Sequence, residues 1–432
     1  MKSIWLQNTE HPSFPSLTEN KNTDVLIIGG GITGILCADR LRQAGVDCIL
    51  VEAKKICHGV SGNTTAKITL AHGLCYDKLI KRFGAKKAGL YLKAQEGALS
   101  EYMRLAHTVD CDYRERDAVV YTLCDKGRIE REIAALKRFG VQAEMSGADG
   151  LPFPVTGALR VKGQGEMNPL KLLYALAKDL PIYEDTKVEE LLGNRVKTTQ
   201  GEITFKRLIV ATHFPIFNKH GLYFLKMYQH RSYVLALENA PDLGGMYVDE
   251  ADTGLSFRNY ENLLLLGGGG HRTGKRGGCW QEIEGVAKRY YPNARIVAKW
   301  ATQDCMTLDG MPYIGRYGRH TSDVYVATGF HKWGMTSAMI AATLLTDLIC
   351  GKVTPYEDLF SPSRSVFRPQ LAANVFHSTV GLLTPTTPRC PHLGCALKYN
   401  SAEHTWDCPC HGSRFAEDGE LLDGPATDGK KW

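Results

Sequence analysis

Two stretches of this 432-residue chain hold residues whose types and spacing could do chemistry. The first is Cys390-Pro391-His392-Leu393-Gly394-Cys395, then twelve residues, then Cys408-Pro409-Cys410-His411-Gly412-Ser413-Arg414-Phe415. A Cys with a His on each of two loops supplies two thiolates and two imidazoles. That set suits a tetrahedral zinc ion or a 2Fe–2S cluster in which two His replace two Cys on one iron. The extra cysteine pair, Cys395 and Cys410, and the G-S-x-F tail argue against zinc. The other nine of the thirteen cysteines are scattered without metal spacing and read as reduced, mostly buried thiols.

The second stretch is residues 24–52. Asp24-Val25-Leu26-Ile27-Ile28 is an apolar, β-branched run that suits a strand buried on both faces. Gly29, Gly31 and Gly34 then fit G-x-G-x-x-G, with Ile32 and Thr33 opening a helix that runs to Ala44. The helix N-terminus offers free N–H groups and partial positive charge to a pyrophosphate. Val46 to Val51 is a second strand, closed by Glu52. A carboxylate about 20 residues beyond the glycines is placed to grip ribose hydroxyls.

The fingerprint, Glu52 and Ser61-Gly62-Asn63-Thr64-Thr65-Ala66-Lys67 together resemble the D-amino-acid-oxidase-type FAD-dependent oxidoreductases, which include glycine oxidase, sarcosine oxidase and γ-glutamylputrescine oxidase. The resemblance implies FAD and places Ser61, Asn63, Thr64, Thr65 and Ala66 beside the pyrophosphate and flavin ring. It puts Lys67 near the position of a substrate-carboxylate Arg, with the charge kept and the bidentate fork lost. Three further segments fit the same family. Phe205 to Ala211 with Thr212-His213 resembles its A-T-G strand, with His213 in place of Gly. Trp300 to Gly315 resembles its W…T-x-D-x-x-P-x-I-G segment. Val324 to Thr336 resembles a strand, a Gly-rich turn and a helix start facing the ring. By that resemblance Gly329, Lys332, Trp333, Gly334, Met335 and Thr336 contact the cofactor, and Lys67, His331 and Lys332 are candidate catalytic residues. Cys305 is out of register for a covalent flavin link and reads as a buried thiol. Arg258, Tyr260, His271 and Arg272 are further pocket candidates, with a surface or core role the stronger reading.

The C-terminal loops resemble Rieske proteins of the cytochrome bc type. Residue by residue, that makes Cys390, His392, Cys408 and His411 the ligands of a Rieske 2Fe–2S cluster, and joins Cys395 to Cys410 in a disulfide. Ser413 stands where a hydroxyl can donate to a cluster sulfur, but the usual Tyr is Phe415. Losing one donor sets the potential in the lower half of the Rieske range of about −150 to +300 mV. Family Rieske domains have several strands before the first Cys. Here Thr384-Pro385-Thr386-Thr387-Pro388 leaves room for few, so the module should lean on the flavin domain.

These sites need an α/β chain: a Rossmann-like FAD-binding domain, a mixed-sheet substrate domain and a small all-β Rieske module. The FAD-binding parts are 1–110, 167–215 and 285–352. The substrate parts are 111–166 and 216–284. A Pro- and Ser-rich linker spans 353–384 and the Rieske module 385–432. Residues 1–23 read as an irregular lead-in, and 77–106 as a pair of surface helices. Asn168-Pro169 caps and opens a helix. Gly267-Gly268-Gly269-Gly270 is rejected as a second dinucleotide turn, because no register fits and no helix follows. Electrons therefore more readily enter from a substrate at the flavin than from NAD(P)H.

The net charge of +6 includes no basic tract of the kind nucleic-acid binding needs. No signal peptide and no membrane span is read, and the expected location is cytoplasmic. The whole resembles bacterial FAD-dependent oxidoreductases with a C-terminal Rieske domain. That implies hydride removal from the carbon next to the amine of a small-molecule substrate, and single-electron exchange with an external carrier such as ferredoxin or flavodoxin. The alternatives are a reductase fed through the cluster and a non-catalytic electron-transfer protein.

Overall fold

The stretch 24–52 builds a βαβ unit. In the computed structural model, which describes residues 2–218, 220–318, 321–385 and 388–430, the strand Lys21–Ile28 leads into the helix Ile32–Gln43 and the strand Cys48–Val51. Lys21–Ile28 lies between Cys48–Val51 and Glu202–Val210, parallel to both. Val25, Leu26 and Ile27 are fully buried, which accounts for the unbroken apolar run. A Cβ on Gly34 would overlap the Gly29 carbonyl oxygen, so only glycine lets the helix pack this close to the strand. The same sheet takes in Tyr313–Arg316, Val324–Thr328 and Ile182–Tyr183, with a hairpin of Val188–Leu192 and Arg195–Thr198 beside Glu202–Val210.

A second sheet of nine strands runs in the order Arg295–Thr307, Met227–Glu238, Leu263–Arg272, Ser256–Tyr260, Gly245–Asp249, Arg114–Thr122, Gly157–Glu166, Lys67–Ile68, with Ala143–Ser146 on Gly157–Glu166. The glycine run 267–270 is interior to one of these strands and forms no phosphate loop. The strand Arg295–Thr307, assigned from sequence to the flavin part 285–352, belongs to this second sheet and pairs with Met227–Glu238 along its length. Lys67–Ile68, assigned to 1–110, pairs with Gly165 and Glu166 here. Both were misplaced for one physical reason: their ends reach the space between the two sheets from the second one, so they face the first sheet without belonging to it.

The lead-in is not irregular. Ser3 caps the helix Ile4–Asn8, and the buried Trp5 donates from Nε1 to Thr64 O at 2.7 Å. The expected helix pair over 77–106 is present within Tyr76–Ala106, its two helices meeting at a non-helical break at Gly84 with φ 81°. The linker also carries structure. Pro369 opens the helix Pro369–Leu383, so that proline marks a first turn and not a connector. Its Asn374 is buried, accepting from Arg272 Nη1 at 3.0 Å. The helix backs onto the C-terminal loops, with Ala396 N donating to Gly381 O at 2.9 Å.

The third sheet is antiparallel: Lys398–Asn400, Thr405–Asp407, Arg414–Ala416, Leu421–Asp423. All four strands follow Cys390, as a shortened module requires. Thr386 and Thr387 of the Pro-rich run lie outside the described residues. Among the described residues no helix is long and apolar enough to cross a membrane.

Candidate functional site

One cavity of about 760 Å³ runs between the first two sheets, within the range of small-molecule and cofactor sites. Gly29, Gly31, Ile32 and Thr33 form part of its wall. Gly29 has φ +109°, and a Cβ there would come within 2.6 Å of Ala211 O. The Ser61 hydroxyl accepts from Ile32 N at 2.8 Å, and Glu52 accepts from Gly30 N at 2.8 Å. Burial pushes the Glu52 carboxyl up, against the backbone N–H groups that favour its charge.

The segment after Ser61 is fixed from behind. Arg258, fully buried, donates from Nη1 to Thr65 O at 2.7 Å and Ala66 O at 2.9 Å, and pairs with Glu166 at 3.3 Å. Thr64 and Thr65 therefore face the cavity, while Ala66 is buried with φ 52°. Lys67 also lines the cavity, its Nζ at 3.2 Å from Thr65 Oγ1 and 3.4 Å from Ser256 Oγ. Burial first, and then the Arg258 charge, lower its pKa to about 7, with Glu166 pulling the other way.

The Gly-rich turn after Val324–Thr328 closes the opposite wall. Gly329, His331 and Lys332 all have positive φ, and the helix Gly334–Ile349 starts at the cavity with Gly334 and Met335. Burial drops His331 to about 4, so its ring is neutral at pH 7. Lys332 Nζ donates to Asp252 O at 2.6 Å. Trp333 stacks on His72 at 4.5 Å and 12°, and the Thr336 hydroxyl is hydrogen-bonded to Nε2 of that imidazole at 3.2 Å. A cavity walled by two glycine-containing turns and two helix N-termini fits a dinucleotide flavin.

At the C-terminal loops, the His392 and His411 rings stand 5.0 Å apart and perpendicular. The Cys390 and Cys408 thiols are hydrogen-bonded. That partner holds Cys390 down to about 7, with the Ser413 hydroxyl adding to the effect, and pushes Cys408 up. Cys395 and Cys410 form the disulfide. His411 is buried, and among the described residues neither of its ring nitrogens has a hydrogen-bond partner, an arrangement costly in an apolar setting unless something else is ligated. His392 is oriented by Asn218, whose Oδ1 accepts from Nε2 at 2.7 Å, as outer-shell groups orient metal ligands. This donor set fits a cluster with two thiolates on one iron and two imidazoles on the other.

The profile of the family described as FAD dependent oxidoreductase, DAO, matches residues 24–348. The chain belongs to that family. A Rieske 2Fe-2S domain matches residues 365–431, taking in the helix Pro369–Leu383 that sequence reading left in the linker. The oxidoreductase therefore binds FAD and a 2Fe–2S cluster. It is 34% identical over 490 aligned positions to YhfW of Bacillus subtilis (strain 168), provisionally named a Rieske 2Fe-2S iron-sulfur protein, covering 98% of this chain and 96% of that one. It is 26% identical to γ-glutamylputrescine oxidoreductase of Escherichia coli (strain K12), covering 81% and 88%. In fold it is similar to glycine oxidase from Geobacillus kaustophilus, with a TM-score of 0.67, 18% identity and 80% and 99% coverage. L-proline dehydrogenase from P. horikoshii gives the same TM-score and identity, with 80% and 98% coverage.

The C-terminal module of the oxidoreductase forms part of the cavity wall. Gly424, Pro425, Ala426 and Thr427 of the Rieske module line the flavin cavity. Two glutamines on neighbouring strands hold the second Rieske loop. Gln229 Nε2 donates to His411 O at 2.9 Å and Gly424 O at 2.7 Å, and Gln303 Nε2 donates to Gly412 O at 2.9 Å and Gln229 Oε1 at 2.8 Å. A Cβ on Gly412 would come within 2.6 Å of Gln229. Beyond them a buried charge cluster ties the third sheet to the second. Glu403 takes both Arg231 and Arg414 and accepts from Tyr233 at 3.0 Å, while Arg414 also pairs with Asp407 and Asp423.

Most of the sequence candidates converge. Glu52, Ser61, Gly329 and Trp333 line the cavity with those already placed, but Gly34, Asn63, Ala66 and Thr336 stand behind its surface. Asn63 serves as backbone, accepting from Trp300 Nε1 at 2.9 Å. None of the four further pocket candidates reaches the cavity wall: Arg258 is a brace, Tyr260 bonds Asp112 at 2.7 Å, His271 stacks on Tyr233, and Arg272 donates to Cys410 O at 3.2 Å. Cys305 is buried against the cavity, its thiol pushed up by burial. Sequence reasoning missed His72, Asn218, Gln229 and Gln303. None has a spacing signal, because each is set by strand register or a long loop.

Proposed function

We propose that this oxidoreductase is a dehydrogenase for a small amine or amino acid carrying a carboxylate. The observation that carries the reading is the shared wall, which sets a one-electron centre directly against the substrate and flavin cavity. FAD supplies hydride acceptance from the carbon next to the amine and one-electron release, and so joins two-electron to one-electron chemistry. An external one-electron carrier completes the path. The chain's own residues bind and orient. Lys67 holds the substrate carboxylate from the second sheet. His331 and Trp333 shape the opposite wall, and neutral His331 adds no charge there. The relatives named for a glutamylated polyamine, for glycine and for proline support the amine class by their names.

Buried Phe415 has no hydroxyl to donate, which supports a potential in the lower half of about −150 to +300 mV. A plant-type ferredoxin, at about −400 mV, lies below that range. Such a carrier fits the reverse reading, a reductase fed through the cluster, whereas a dehydrogenase needs a carrier of higher potential. Nine free cysteines outside the Rieske loops support a reducing, cytoplasmic location.

An anaerobic absorbance and EPR titration with amino acids, N-methyl amines, hydroxy acids and NADH in turn tests the proposal. An amine that bleaches the flavin band and then produces a Rieske-type EPR signal is the expected result. Reduction by NADH alone, or only by dithionite, refutes the dehydrogenase reading.

A further inference from the structure

We propose that the outer face of the helix Pro369–Leu383 is the docking surface for an acidic one-electron carrier protein. This rests on the reading that such a carrier exchanges electrons with the cluster. At the imidazole edge of the cluster site His411 is buried with Phe224 edge-on at 6.0 Å, and His392, half-buried, is bonded to Asn218. That edge therefore offers a partner only the part of one imidazole that Asn218 leaves uncovered. The opposite edge carries the disulfide, and this one helix covers it. Cys410 Sγ lies 3.8 Å from His377 O, and a Cβ on Gly381 would sit 2.5 Å from the same sulfur. A partner resting on the helix is thus one helix thickness from the loops that hold the cluster.

The outer face has the composition of an interface core. Phe376, Val380 and Leu383 recur at i, i+4 and i+7 and are 64, 46 and 76% exposed, with Phe367 at 83% just ahead of the helix. The helix itself has no charged residue, and residues 359–402 contain no Asp or Glu at all. The rim is cationic: Arg368 before the helix, Arg389 over its C-terminal carbonyls, and exposed Lys275 and Arg276 in the neighbouring loop. Among the described residues no carboxylate pairs with any of these four. An apolar centre inside a single-sign rim matches a partner whose redox centre is ringed by carboxylates, with steering from the charges and contact from the helix. Each encounter moves one electron, the carrier losing what the cluster gains or the reverse, with no bond made or broken.

The test uses the full-length protein holding both cofactors and a reduced plant-type 2Fe–2S ferredoxin as the probe, since its electrons run downhill into a Rieske cluster. Cluster reduction is followed by stopped-flow absorbance, and binding of the oxidised ferredoxin by calorimetry. The variants are Phe376→Glu with Leu383→Glu and, separately, Lys275→Glu with Arg276→Glu. The expected result is a wild-type rate that falls as salt rises from about 0.01 M to about 0.15 M, at least tenfold slower reduction and weaker binding in both variants, and equal reduction of all three by dithionite. Equal rates and affinities in all three overturn the proposal and leave the carrier reading standing. No reduction of wild type by ferredoxin, with dithionite effective, overturns the docking proposal, while the dehydrogenase reading, whose carrier has a higher potential, is decided by the amine titration. Flotation of wild type but not the variants with phosphatidylglycerol vesicles assigns the face to lipid and overturns it. So does a wild-type dimer in sedimentation that the variants abolish.

Discussion

Glu403→Gln is the sharpest test of how firmly the Rieske module is docked. Glu403 comes from the third sheet, and two of its partners, Arg231 and Tyr233, come from the second. Burial pushes its carboxyl up, but hydrogen bonds and charge from Arg231, with the charge of Arg414, outweigh it and hold the pKa at about 2, against an ordinary 4.5. At about 1.36 kcal/mol per unit, that displacement corresponds to about 3 kcal/mol favouring the docked state. Removing one member of a buried pair costs a similar amount, about 3–5 kcal/mol. Because the docked pKa is depressed, the contribution is fully present above pH 4.5 and fades as pH falls from 4.5 towards 2. The variant should therefore open more easily by about 3 kcal/mol at pH 7, roughly 150-fold in population, and the gap should shrink near pH 3. Native-state hydrogen exchange of the amides across residues 398–423 in the cluster-loaded protein reads this directly. A gap under about 1 kcal/mol at pH 7, or the same gap at pH 3 as at pH 7, refutes the reasoning.

Lys67→Ala should raise KM for carboxylated substrates by about 10- to 150-fold, the weight of one hydrogen bond to a charged group, and leave decarboxylated amines alone. In wild type that KM should climb as pH passes about 7 and the ammonium is lost, whereas Lys67→Arg, charged throughout, should show a flat profile in steady-state kinetics. Gly34→Ala forces a methyl into the Gly29 carbonyl, and the purified protein should keep less than about a tenth of its flavin absorbance. Ser413→Ala removes the hydroxyl that donates to Cys390. The EPR-monitored midpoint should fall by about 40–65 mV, the one-electron equivalent of a hydrogen bond of about 1–1.5 kcal/mol.

What was legible in the sequence is what backbone sterics and ligand chemistry dictate locally. Gly29 and Gly34 are read at once, because a side chain at either position collides with backbone a few ångströms away. The Cys and His loops are read because ligand type and spacing sit within one short stretch. His213, which stands where the resembled A-T-G strand has Gly, has φ 62°, a left-handed conformation that His adopts more readily than most side chains. The illegible parts are those that depend on register between distant strands. Gln229 and Gln303 meet because Met227–Glu238 pairs with Arg295–Thr307, and nothing local marks either one. Arg258 was a pocket candidate with a surface or core role the stronger reading, and it is a core brace, but its partners, the carbonyls of Thr65, Ala66 and Met167 and the carboxylate of Glu166, could not be named from the sequence. The helix Pro369–Leu383 was hidden because its apolar spacing is flanked by Pro- and Ser-rich segments that read as a connector.

The wall formed by Gly424 to Thr427 also bears on biogenesis. A chain emerging from the ribosome completes both large sheets before it has made the four residues that finish the flavin cavity. Docking of that last segment completes the wall, so the module that holds the cluster also finishes the flavin cavity. Protein recovered from iron-starved cells is therefore expected to be short of flavin absorbance as well as of iron.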